Sequence, residues 1–196
     1  NTVALTERCG LAVRKVYGRF IGVRMPVNYL QTVFGPHLSE AARRYLTLRA
    51  MDLGEDLIAD GLLLIPPEEV MRRLSSWENY LQEYPDSPFN EDAHILRNQY
   101  LRFFLLGTNG SPVNPLETRV FFRRFVNKHE ETESAKRILT YIGYLKEAHW
   151  QQSEPDDLYL TQLLRDLPVP VSMETTLQLC YRLSSSVEAI APEPLS

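Results

Sequence analysis

A chain of 196 residues, 44% hydrophobic and 23% charged, has the make-up of a globular protein long enough to bury a core without metals or disulfide staples. Its net charge of −4 argues against a general nucleic-acid binder, which needs surplus Lys and Arg to neutralise phosphates. No apolar run approaches the roughly 20 residues of a membrane-spanning helix; Leu62-Leu63-Leu64-Ile65, for instance, stops at Pro66-Pro67.

Leu5, Cys9, Ala12 with Val13, and Val16 fall at helical spacing and predict a first helix. Gly18 to Pro26 breaks that period with two glycines and partial alternation, as a short extended piece or loop would. Asn28 opens a short helix through Phe34, ended by Gly35-Pro36. Ser39 then caps a long helix whose stripe is Ala42, Leu46, Ala50, Leu53 and Leu57 and whose end is Asp60-Gly61. Gly54 marks a close approach within it.

Pro66-Pro67-Glu68-Glu69 is a strong helix start, with proline in the first turn and acids at the positive helix end. Val70, Leu74, Trp77, Leu81 and Tyr84 recur at steps of four and three. Tyr84-Pro85-Asp86-Ser87-Pro88 forces a turn: the residue before proline avoids helical backbone, and Ser87 with Pro88 suits the cap and first position of a second helix. Phe89, Ala93, Leu96, Tyr100 and Phe103 form that helix's stripe. A loop over Gly107–Pro112 follows. Asn114-Pro115 starts a helix burying Phe121, Phe122, Phe125 and Val126, and Thr132 starts one with Ala135, Ile138, Ile142, Leu145 and His149 on its face. Shorter helices are expected from Pro155 (Leu160, Leu164, Leu167) and from Ser172 (Met173, Leu177, Cys180, Ser184), before a polar tail.

The expected fold class is therefore all-α: antiparallel helix pairs, partly tetratricopeptide-like solenoid, with little or no β-structure. The expected organisation is a single helical domain over 1–190. Within it, 1–65 holds N-terminal helices and a short extended segment, 66–150 the helix-pair repeats and 151–190 the C-terminal helices; 191–196 is a tail. Tyr80 and Phe125, Trp77 and Phe122, and Ser87 and Thr132 each lie 45 residues apart, and Tyr100 and Tyr144 match at 44.

Tyr80 through Ala93 resembles a tetratricopeptide-type repeat of bacterial envelope proteins, such as the lipoprotein of the barrel assembly machine and the Tol-linked division coordinator. Tyr84, Pro85, Ser87 and Ala93 match that pattern over about 35 residues, while His129-Glu130 stands where the second unit would carry Tyr-Pro. The resemblance implies an exported, periplasmic or envelope-associated protein with a binding role; a cytoplasmic protein is the alternative. The chain opens at Asn1, as a processed or trimmed product would, so an export signal or lipid anchor before it is compatible with this reading.

No catalytic signature stands out. The four histidines His37, His94, His129 and His149 form no His-Glu-x-x-His pair, and His129 reads as part of a solvated acidic helix start. His94 reads as an exposed helix residue and His149 as a core histidine. Glu154, Asp156 and Asp157 compensate a helix dipole better than they suit acid–base work. Cys9 and Cys180 either close a long disulfide loop or remain two buried thiols. The expectation is a non-enzymatic protein-binding or scaffold protein of the bacterial cell envelope, with no cofactor or metal, whose partner is another protein or peptide. An inhibitor or immunity-type protein, or a hydrolase with a His/carboxylate site, are the alternatives. Tyr80 and Tyr141 lie off the main stripes and are the expected aromatic anchors, with Arg97 and Arg124 as charge partners.

Overall fold

The computed structural model describes residues 12–16, 19–24, 27–54, 57–108 and 110–147. The first described elements are strands: β1 (Ala12–Val16) and β2 (Arg19–Arg24) pair antiparallel with Val13 opposite Val23 and Val16 opposite Arg19. This replaces the end of the helix expected from Leu5 to Val16. Ala12 and Val16 satisfy a spacing of two as well as one of four, and Val13, Val16, Phe20, Ile21 and Val23 are residues that suit a pleated surface. Residues 1–11 lie outside the described part.

Helix α1 (Val27–Phe34) follows, then a single 3₁₀ turn (Gly35–His37) and α2 (Glu40–Gly54). Ser39 caps α2 by accepting from the Ala42 amide at 3.3 Å. The buried face of α2 is Ala42, Tyr45, Leu48, Arg49 and Asp52, rotated from the expected stripe; Leu46, Ala50, Leu53 and Leu57 are only half-buried. Gly54 is the last residue of the helix.

Asp60-Gly61 does not end α2. It is the tip of a hairpin between β3 (Ile58–Ala59) and β4 (Leu62–Leu63). Both turn residues have positive φ, 50° and 78°, as a two-residue I′ turn requires. A second hairpin, β5 (Gly107–Thr108) with β6 (Ser111–Pro112), lies against it. The Gly110 amide donates to the Gly61 carbonyl at 3.2 Å, and the Leu63 amide to Ser111 Oγ at 3.3 Å.

The core is built by α3 (Pro67–Glu83), α4 (Asn90–Leu106), α5 (Pro115–Lys128) and α6 (Glu133–Glu147). Asn114 and Thr132 cap α5 and α6, their side chains accepting from Leu116 N and Ala135 N. Ser87 does not cap α4, which starts at Asn90; its hydroxyl instead accepts from Phe89 N and meets the Tyr80 hydroxyl at 2.6 Å, closing the turn. The α3–α4 and α5–α6 pairs stack with α3 against α5 and α4 against α6. Some residues 45 apart are buried alike. Trp77 and Phe122 are both fully buried, as are Ala93 and Ile138. Tyr84 and His129 both end their helices at φ near −130° and pack on Tyr80 and Phe125 respectively. Tyr100 and Leu145 are both buried, and Tyr144 is half-buried.

Among the described residues the fold is thus all-α in its core, with six helices and three two-stranded antiparallel pairs. None of its helices is long and apolar enough to cross a membrane.

Candidate functional site

Several polar side chains enter the core, and each ties one helix to another. The Tyr100 hydroxyl of α4 donates to Asp52 Oδ1 of α2 at 2.5 Å. Burial pushes the Asp52 carboxyl up to about 6, against the lowering pull of the Tyr100 bond and of Arg49 and Arg73. Arg73 of α3 donates to Glu69 at 2.7 Å and to the Met51 carbonyl at 3.3 Å. The Trp77 indole is near enough to Asp52 to lower its pKa, but without a well-formed bond, so Trp77 Nε1 and Asp52 Oδ2 are both unsatisfied. Tyr45 of α2 donates to Asp92 of α4 and stacks on Phe89 at 4.5 Å.

A second group joins α3, α4 and α6. Arg97 pairs with Glu78 at 3.3 Å, donates to Ser134 Oγ at 3.4 Å and contacts His94 Nδ1 at 3.2 Å. A third joins α3 to the end of α5, where His129 Nε2 and Ser75 Oγ are 3.0 Å apart. His129 is buried, not part of a solvated helix start, and desolvation lowers its pKa. His94 is exposed, as expected.

Ser75 with His129 is the nearest approach to a nucleophile–base pair. Glu78 lies close enough to raise the histidine's affinity for a proton, yet its carboxylate bonds Arg97. All three residues are buried, so the pair is closed to a substrate in this conformation. Among the described residues, no three His, Cys, Asp or Glu side chains gather to hold a metal ion.

The expected surface residues divide. Tyr80 is fully buried, Tyr141 packs edge-on against Phe122 at 6.0 Å, and Arg97 is enclosed by its partners. Their expected exposure is therefore corrected. The α3–α6 helices bury more than one stripe because each meets two or more neighbours, which draws flanking positions inside. Arg124 is exposed, ion-paired to Glu68 at 3.5 Å and 5.8 Å above the Phe121 ring. His149, Glu154, Asp156, Asp157, Cys9, Cys180 and the two C-terminal helices lie outside the described residues.

The exposed apolar side chains are others. On the α5–α6 pair they are Leu116 (53% exposed), Val120 (55%) and Leu139 (50%). On α1 they are Tyr29, Val33 and Phe34, and on the β3–β4 hairpin Ile58, Leu62 and Leu64. A signal existed for two of these sets. Leu116 and Val120 repeat at four on the face opposite Phe122 and Phe125, and α1 contains no charged residue. Compared with known protein families, with curated proteins and with solved structures, the chain matches none.

Proposed function

We propose that this chain is a non-enzymatic protein-binding scaffold of the bacterial cell envelope, acting through the outer surface of its stacked helix pairs. The observation that carries the reading is the α5–α6 surface. Leu116 and Val120 stand one turn apart, and Leu139 on the neighbouring helix is similarly open, while Arg124 supplies a cation on the same pair. Large aliphatic groups left this exposed on a helix pair suit a partner's apolar side chains. The stacking of α3 on α5 and α4 on α6, with like residues 45 apart, supports a helical-repeat reading, and the Tyr84-Pro85-Asp86-Ser87-Pro88 turn supports the envelope assignment.

Leu116→Asp with Val120→Asp places two charges on exposed positions and should leave the unfolding free energy within about 1 kcal/mol of the native chain. Affinity capture from an envelope extract, read by mass spectrometry, should recover a partner with the native chain and lose it with the double variant. Retention of the same partners by the variant would remove this surface from the proposal.

A further inference from the structure

We propose that α1 and its basic flanks form a peripheral docking surface for an anionic lipid bilayer. The chain is electrically split. Residues 1–54 carry eight Lys and Arg against three Asp and Glu, a net of +5; residues 55–196 carry thirteen against twenty-two, a net of −9. Within the basic part, α1 reads Val-Asn-Tyr-Leu-Gln-Thr-Val-Phe and contains no charge. Tyr29 and Val33 lie one turn apart on it and Phe34 follows, exposed by 40%, 43% and 49%.

A cation stands beside this helix on α2. Gln31 Nε2 donates to Thr47 Oγ1 of α2 at 3.0 Å, and Thr47 donates to the Arg43 carbonyl at 2.9 Å. Arg43 is exposed and stands one turn along α2 from the α1 contact; Arg44, also exposed, lies by Tyr84 together with Glu40 and Glu83. At the other end of α1, Arg24 closes β2 three residues before Val27, a chain reach of at most about 11 Å. Arg14, Lys15 and Arg19 add three more cations in the preceding hairpin sequence.

An uncharged helix with exposed aromatic and aliphatic groups, with the exposed Arg43 one turn from its contact on α2, matches the boundary between headgroups and acyl chains. Anionic headgroups attract the basic flanks, and the acidic remainder of the chain is repelled, which orients α1 towards the surface. A nucleic acid is disfavoured because α1 offers mainly aliphatic and aromatic contact and no cation of its own to phosphates and base edges.

The test is co-sedimentation of the full 196-residue chain with vesicles of phosphatidylcholine alone and of phosphatidylcholine mixed with phosphatidylglycerol. Binding is expected only to the mixed vesicles and should weaken with salt. Arg43→Glu with Arg44→Glu should lower partitioning more than about tenfold. Val33→Ser with Phe34→Ser should lower it by about tenfold, with circular dichroism unchanged. Phe34→Trp supplies an independent reading: the emission it adds to that of the two native tryptophans should shift to the blue on mixed vesicles and be quenched by brominated lipid. Absence of binding at low salt, equal binding to neutral vesicles, or added emission that brominated lipid leaves unquenched each overturns the proposal. Tight binding of duplex DNA or RNA that displaces vesicles would assign the surface to nucleic acid instead.

Discussion

Asp52 holds its carboxyl between Tyr100, Arg49 and Arg73, and burial raises it from 3.8 to about 6. Between those two values the folded chain holds a proton that the unfolded chain has released. Stability from this group therefore rises as pH falls through 6, by about 3 kcal/mol in all. His94 and His129 act in the opposite sense. Partial desolvation, helped by Arg97 beside His94 and Lys128 beside His129, depresses both below 6.5, so each loses stability as pH falls from 6.5 towards its folded value. The carboxyl's share is isolated by comparison with Asp52→Asn. Urea unfolding of the two chains should show the native one gaining about 2 kcal/mol on the variant between pH 7 and pH 4. A difference that stays flat over that range would exclude Asp52 as the titrating group. None of this was legible in the sequence, where Asp52 is one more acid in a long helix. Apart from Arg49 on the same helix, its environment is set by residues 21 to 48 positions away, Arg73, Trp77 and Tyr100.

Local signals succeeded where they involve few residues in sequence. Asn114, Thr132 and Ser39 cap the helices they precede, because a short polar side chain can reach an unpaired amide within three residues. They failed where one signal serves two structures. Asp60-Gly61 suits a helix end and an I′ hairpin alike; the apolar pairs Ile58-Ala59 and Leu62-Leu63 on either side decided for the hairpin. The following hairpin shows the same economy of backbone. Gly107 has φ 72°, and a Cβ there would run into the Ser111 carbonyl. Gly107→Ala is expected to cost at least about 2 kcal/mol. Gly143→Ala, within α6 and with nothing near the added methyl, should instead stabilise by about 0.5–1 kcal/mol. Thermal melts of the two variants should move in opposite directions; a shared direction would contradict the backbone assignment.

At the scale of the whole molecule, Arg97 and Glu78 connect three helices through one buried ion pair and Ser134. Removing one partner strands the other charge in the core. Arg97→Met is expected to cost about 3–5 kcal/mol in urea unfolding, and adding Glu78→Leu should recover much of that loss. Equal destabilisation by the single and double variants would mean that packing, and not charge, dominates the site. Arg97 was expected at the surface because it lies beside the apolar stripe of an amphipathic helix. It is buried because α4 has both α3 and α6 as neighbours, and a stripe derived from one helix cannot count its neighbours.

Amino-acid order alone determined the helical class, most helix starts and the turn at Tyr84-Pro85-Asp86-Ser87-Pro88, since capping, proline and periodicity act over one or two turns. The charge split on either side of residue 54 is also written in the sequence. Tertiary structure decided which face of α2 is inside, that Tyr80, Tyr141 and Arg97 are core residues, and that Tyr29, Val33, Phe34, Leu116 and Val120 are the open ones. Burial is a property of the neighbours a residue acquires, and those neighbours come from elements far apart in the chain.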